Sequence, residues 1–248
     1  MRLIVVGSNS KGNCYALDAG DEILLLEAGM KYSVMSKAIG HQLNKVVGCL
    51  VTHRHGDHAK YVKSYMCSGI QVYGCKDIMD SIPPEDFEKV YKRWNLILPE
   101  QTLHLGNFDV VPFYNYHDVE IYGYLIRHKQ MGTMLFSTDS YKVGLIITGV
   151  EHYLIEANYS DEQLKSNVLS GNITQSQADR VVLSHMSIDY CAKYLRDCEA
   201  WKSAKTITLC HLSARNSNPL PFRNLIAGAF GVPTFIAEKG AIINLDNI

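Results

Sequence analysis

Short apolar runs set off by polar turns open the chain. Residues 3–6, 15–17 and 23–26 each read as a buried strand. The polar stretch Ser8-Asn9-Ser10-Lys11-Gly12-Asn13 separates the first pair, and Asp18-Ala19-Gly20-Asp21 the second. Val34, Met35, Ala38, Ile39 and Leu43 keep a helical period and predict a helix over 33–43. The buried strand 46–51 then runs straight into Thr52-His53. Pro83-Pro84 breaks the chain, and 85–91 predicts a short charged helix. Strands follow at 96–98, 101–105 and 109–113, then a hairpin of 122–127 with 133–137, then a strand at 153–156. Residues 160–168 and 176–183 suit helices. Ser187 is a good N-cap for a long helix that carries Ala192, Leu195, Ala200 and Trp201. A strand at 206–210 ends in His211, a helix is predicted over 224–230, and 241–245 is a closing strand. No linker, low-complexity run or short-period repeat interrupts this order. The expectation is one α/β domain over residues 1–248 with mixed sheets.

Composition narrows the class. The chain has 248 residues, 47% of them hydrophobic and 20% charged, ordinary for a globular enzyme with a proper core. The formal net charge of -1 lacks the basic excess that often accompanies non-specific nucleic-acid binding, although a local basic patch would not show in that total. Seven scattered cysteines with no C-x-x-C pair argue against a disulfide framework or a cysteine zinc knot. They read as buried free thiols in a reducing cytosol, so a cytoplasmic protein is expected. The N-terminal apolar run is too short for a signal peptide. No run approaches the ~18 apolar residues that a membrane span needs.

The chemistry concentrates in His53-Arg54-His55-Gly56-Asp57-His58. Imidazole and carboxylate together suit Zn²⁺, Mn²⁺ or Fe and not Ca²⁺. The run follows a buried strand, in a loop where alternate residues can turn away while the ligands face inward. Gly56 permits the tight turn that brings Asp57 and His58 back toward His53 and His55. His117, Asp139 and His211 sit in the same strand-to-loop setting and complete a set of five histidines and two aspartates.

This order of residues, along nearly the whole chain, resembles that of metallo-β-lactamase-fold hydrolases. The resemblance implies a four-layer αββα sandwich of two mixed β-sheets and two divalent ions, Zn²⁺ or Mn²⁺. His53, His55 and His117 would hold one ion, Asp57, His58 and His211 the other, with Asp139 bridging. Asp at the bridging position looks like the phosphodiesterase branch, where the lactamase branch has Cys. Gly7-Ser8-Asn9-Ser10-Lys11-Gly12-Asn13-Cys14 is similar to the opening of bacterial YycJ-type proteins, and Leu154-Ile155-Glu156-Ala157-Asn158 and Ser184-His185-Met186-Ser187 also match that group. His211-Leu212-Ser213-Ala214-Arg215 is similar to a tRNase Z segment, which implies Ser213 and Arg215 as substrate contacts. His185 lies 26 residues before His211, about where tRNase Z carries a catalytic histidine. The same group includes phage anti-Pycsar enzymes that cleave cyclic mononucleotides.

The function so implied is a metal-dependent phosphodiesterase using a hydroxide activated by the two ions. Asp57 would orient that hydroxide, and His185 would serve as general acid or phosphate contact. The expected substrate is a cyclic nucleotide, since no long insertion resembles the tRNA-clamping arm of tRNase Z. The alternative is a DNA or RNA nuclease of the YycJ or tRNase Z kind. A homodimer is expected from the resemblance alone. Glu27 departs from it, standing where the group has Asp, which puts its support of the ligands in question. Tyr114, Tyr116 and Tyr122 flank His117 and read as packing or as base-stacking residues. His41, His104, His128 and His152 fall outside any motif and read as structural.

Overall fold

The structure, a computed structural model, describes residues 1–246. Strands β1 (Arg2–Gly7), β2 (Cys14–Asp18), β3 (Ile23–Leu26), β4 (Val46–Leu50), β5 (Val72–Gly74) and β6 (Trp94–Leu96) come first in the chain. Next are β7 (Leu103–Leu105), β8 (Phe108–Tyr116), β9 (Tyr122–His128), β10 (Gly132–Ser137) and β11 (Lys142–Val143). The last four are β12 (His152–Glu156), β13 (Thr206–Cys210), β14 (Thr234–Ile236) and β15 (Ile242–Asn244). They form two mixed sheets. One runs β15-β1-β2-β3-β4-β5-β6, and the other β11-β8-β9-β10-β12-β13-β14 with β7 beside β8.

Side-chain alternation explains why two sheets stack. On β12, Leu154 joins the core between the sheets while Tyr153 and Ile155 face the helices outside. Tyr15 of β2 meets Phe136 of β10 edge to face at 5.8 Å, across the sheet interface. Helices 188–197 and 219–230 cover the outer face of the second sheet through Ile188, Leu195, Phe222 and Ile226. Met35 and Tyr65, from helices Tyr32–Ala38 and Val62–Cys67, pack into the core that includes the first sheet. The layers are therefore helix, sheet, sheet, helix, as expected. Among the described residues, no helix is long and apolar enough to cross a membrane.

Several element bounds differ from the sequence reading. The helix predicted over 33–43 stops at Ala38, because Gly40 and His41 both take left-handed backbone, at φ 62° and 61°. The long helix after Ser187 breaks at Glu199, φ 51°, and resumes as Ala200–Ser203. The strand expected at 96–98 sits at Trp94–Leu96, where it pairs with β5. The last helix begins at Pro219, five residues earlier than the pattern suggested, with proline at its first position. Six of the seven cysteines are buried and none is bridged, while Cys67 is exposed.

Candidate metal centre

Strand direction gathers the site. β8, β10, β12 and β13 all run the same way, since β9 is antiparallel to both β8 and β10, and β10, β12 and β13 are mutually parallel in sequence. Their C-terminal ends deliver His117, Asp139, Glu156 and His211 to one edge. From the other sheet, the parallel pair β3 and β4 brings Glu27 and His53. Glu27, Asp139 and His211 each leave their strand in left-handed backbone, at φ 69°, 48° and 52°. Such a conformation costs a non-glycine residue roughly 1–2 kcal/mol. Glycine would turn there at no such cost but would bring no ligand atom, so the strain is tolerated where the chemistry is.

The His53–His58 loop is clamped from two sides. Asn13 donates its backbone N–H to the Asp57 carbonyl at 2.7 Å, and Ala28 donates to the His58 carbonyl at 2.8 Å. Gly29 donates to the Asn13 carbonyl at 2.9 Å, so three chain segments meet there. A Cβ on Gly29 would lie 1.7 Å from the Asp57 carbonyl oxygen. The Asn13 amide also reaches His58 Nε2 at 3.0 Å. The opening motif that ends at Asn13-Cys14 thus supports the ligand loop.

Two groups of ligand atoms result: His53, His55 and His117 in one, and Asp57, His58, Asp139 and His211 in the other, with every atom of a group within 4.8 Å of the rest. His55 Nδ1 and His117 Nε2 stand 3.1 Å apart. His58 Nε2 lies 3.3 Å from Asp57 Oδ2 and 3.3 Å from Asp139 Oδ1. His211 Nε2 lies 3.2 Å from Asp57 Oδ2. His53 Nε2 is buried and has no hydrogen-bond partner among the described residues. An orphaned buried imidazole nitrogen aimed into a histidine cluster is costly unless a cation takes its lone pair, so the donor set fits a divalent metal. The sequence-predicted ligands His53, His55, Asp57, His58, His117, Asp139 and His211 all fall in these two groups.

Electrostatics separates the groups. Burial, with His58 nearby, holds His53 well below the usual histidine range, and burial also lowers His117. Burial opposes the charge of His211 as well, but Asp139, Asp57 and Glu156 outweigh it and raise the imidazole to about 10. Burial would raise the Asp57 carboxyl, yet hydrogen bonds from His211 and His58 hold it far below the ordinary carboxylate range. A metal entering the second group displaces protons from its histidines.

Glu156 is the functional residue that sequence reasoning left without a role. It is fully buried at the end of β12. Its Oε1 accepts from His185 Nδ1 at 2.8 Å and faces His211 Nδ1 at 3.1 Å. Its Oε2 accepts from the backbone N–H of Ser140 at 3.0 Å and of Met186 at 3.1 Å. Glu156, Asp139, His185 and His211 also lie close enough together to form a ligand group. With both oxygens of Glu156 already taken by N–H groups, it orients His185 and His211. Glu27, although longer than the expected Asp, also sits beside a histidine of the cluster. Its Oε1 accepts from the Thr52 hydroxyl at 2.6 Å and stands 3.3 Å from His58 Nδ1.

A cavity of about 340 Å³ opens onto the cluster, and its lining includes Asp57, Asp139, His185 and His211. His185 caps the C-terminus of helix Gln175–Ser184 and stacks on His211 at 5.3 Å. Ser213 and Arg215 are not brought to this cavity. The Ser213 hydroxyl accepts from the backbone of Arg215 and Asn216, and Arg215 lines a separate hollow with Asn167 and Asn172. The tyrosines flanking His117 also stay out of it: Tyr122 is buried, and Tyr114 and Tyr116 are exposed on the strand. Asp118 does line it, with its carboxylate 3.1 Å from His117 Nε2. Of the histidines read as structural, His128 and His152 are buried in hydrogen bonds away from the cluster.

Solved structures share this architecture. The metallo-β-lactamase fold protein YhfI from Bacillus subtilis is 20% identical with a TM-score of 0.74, covering 98% of this chain and 99% of that one. Human tRNase Z, short form, is 17% identical with a TM-score of 0.69 over the full length of both chains. A diphosphatase of the PhnP family is 12% identical with a TM-score of 0.70, covering 99% and 98%. The chain therefore has the metallo-β-lactamase fold. No protein-family model and no curated protein matches the sequence.

Proposed function

We propose that this protein is a metal-dependent phosphodiesterase that acts on small phosphodiesters, cyclic nucleotides foremost. The observation that carries the reading is His185. Its Nδ1 is held by Glu156, and its ring stacks over His211 at the wall of the metal-facing cavity. Glu156 remains a carboxylate: burial would raise it, but His185 and His211 bring it below its usual range. It therefore accepts the Nδ1 proton and leaves Nε2 as the nitrogen that meets substrate. Two divalent ions, Zn²⁺ or Mn²⁺, held by the groups that share Asp139's neighbourhood, would supply water activation and Lewis-acid stabilisation when bound. Asp57 orients the attacking water. Burial opposes a charge on His185, but Glu156 raises its imidazole above the usual range, so the ring carries a proton on each nitrogen and delivers the Nε2 proton to the leaving oxygen.

A volume of about 340 Å³ is at the low end of small-molecule sites, roughly 300–1,000 Å³, and suits a mononucleotide. The near-neutral net charge agrees. A nuclease reading draws on the similarity to human tRNase Z.

The test is a hydrolysis panel with Mn²⁺ or Zn²⁺ added, comparing wild type with His55→Ala. Substrates are cyclic mononucleotides, single- and double-stranded DNA and a tRNA precursor. The expected result is loss of a cyclic nucleotide in wild type alone. Cleavage of polymers with cyclic nucleotides untouched favours the nuclease. No cleavage of any phosphodiester overturns the proposal.

A further inference from the structure

The metal-facing cavity holds one permanently charged cation among its described lining residues, Arg180. The carboxylates Asp57, Asp118 and Asp139 line the same cavity, yet Arg180 forms no ion pair or hydrogen bond with any described residue. Arg180 is exposed at the cavity wall, so its five donors are open to an anion that enters.

Its mounting is rigid. Arg180 and Ser184 are one helical turn apart on helix Gln175–Ser184, and both line the cavity. A reciprocal capping box between Thr174 and Gln177 fixes the N-terminal end of that helix. At the other end His185 donates its backbone N–H to Val181 and is tied by its ring to Glu156. The buried Ala178 packs this helix onto Leu164 and Ile173. Arg180 is therefore carried by the helix that the proton-delivering histidine caps, five residues before it. The other arginine that the sequence singled out, Arg215, opens onto a different hollow.

We propose that Arg180 binds the substrate's phosphate, gripping oxygens that the metal ions leave free, with the Ser184 hydroxyl beside it. The inference deepens the phosphodiesterase reading and rests on it. Guanidinium matches phosphate with two parallel N–H···O bonds, which a lysine ammonium cannot reproduce. The ligand class is thus a phosphate ester whose anionic oxygens face both the metal cluster and this helix.

The probe is inorganic phosphate, titrated calorimetrically into metal-loaded wild type, Arg180→Ala, Arg180→Lys and Arg215→Ala. Metal content and Tm are measured on each. Kinetics with the best phosphodiester of the panel run in parallel. Arg180→Ala is expected to weaken phosphate binding by roughly 10- to 100-fold and to raise KM by a similar factor, with metal content unchanged. Arg180→Lys is expected to recover a minor part of the loss. Unchanged phosphate affinity and KM in a folded, metal-loaded Arg180→Ala overturns the proposal, as does a loss that follows Arg215→Ala instead. If wild type cleaves no phosphodiester but its phosphate binding still depends on Arg180, the hydrolase reading falls and the Arg180 assignment stands.

Discussion

At the scale of single residues, the site depends on carboxylates that touch histidines. Glu156 accepts four contacts at once, two from histidine rings and two from backbone N–H groups. Glu156→Gln keeps the shape but replaces one acceptor by an NH2 that faces a donor. It is expected to lower kcat by roughly 10- to 100-fold at saturating metal, read by steady-state kinetics with metal content measured alongside. An unchanged kcat means that Glu156 does not orient His185. The members of the two candidate ligand groups stand out in the sequence, because four of them share one six-residue run and the others each follow an apolar strand. Glu156 has the same setting after β12, but a lone Glu at a strand end gives no sign that it is buried. Ser213 and Arg215 lie outside the cavity lining for a related reason. Nearness to His211 along the chain does not bring them into its cavity, because the chain turns there and the Ser217 hydroxyl bonds back to the Ser213 carbonyl.

At the scale of elements, the ligand loop is held by backbone packing that no side chain announces. Gly29 lies against the Asp57 carbonyl, so Gly29→Ala must push the loop outward. The expected cost is about 1–3 kcal/mol of stability, as for overpacking generally, together with weaker metal retention. Thermal unfolding and chelator-challenge kinetics check both, and a variant with wild-type Tm and metal retention contradicts the clamp. The strands before His53, Asp139 and His211 were read closely, since each is a clear apolar run bounded by turn residues, whereas β8 before His117 runs to Tyr116, three residues past its expected end. Helix ends were read less well. Gly40 offered a stop signal inside an unbroken apolar period, whereas the break at Glu199 has no residue-type signal at all. The strand Thr234–Ile236 is three residues long, too short to show alternation, and it exists by pairing with β13.

At the scale of the molecule, the fold joins strands distant in sequence, and His152 reports on that joint. It is buried on β12, with Nδ1 at 2.8 Å from the Thr206 hydroxyl of β13 and Nε2 at 3.0 Å from the Met131 carbonyl. Burial lowers its imidazole from 6.5 to about 4. A depressed histidine is neutral in the folded state, so its contribution is fully present above pH 6.5 and is lost as pH falls toward 4. The loss is about 3 kcal/mol. Unfolding measured between pH 4 and 7 should show this dependence reduced in His152→Gln, and an identical pH dependence in the two proteins contradicts it. The pairing of two mixed sheets was legible through the order of the metal ligands, because strand lengths alone do not say which strands are neighbours. That order also makes the central claim, a two-ion centre, directly countable. Metal analysis of the protein after Zn²⁺ or Mn²⁺ loading is predicted to give two ions per chain in wild type and one in His55→Ala. A wild type that holds one ion or none, with its fold intact, contradicts the account.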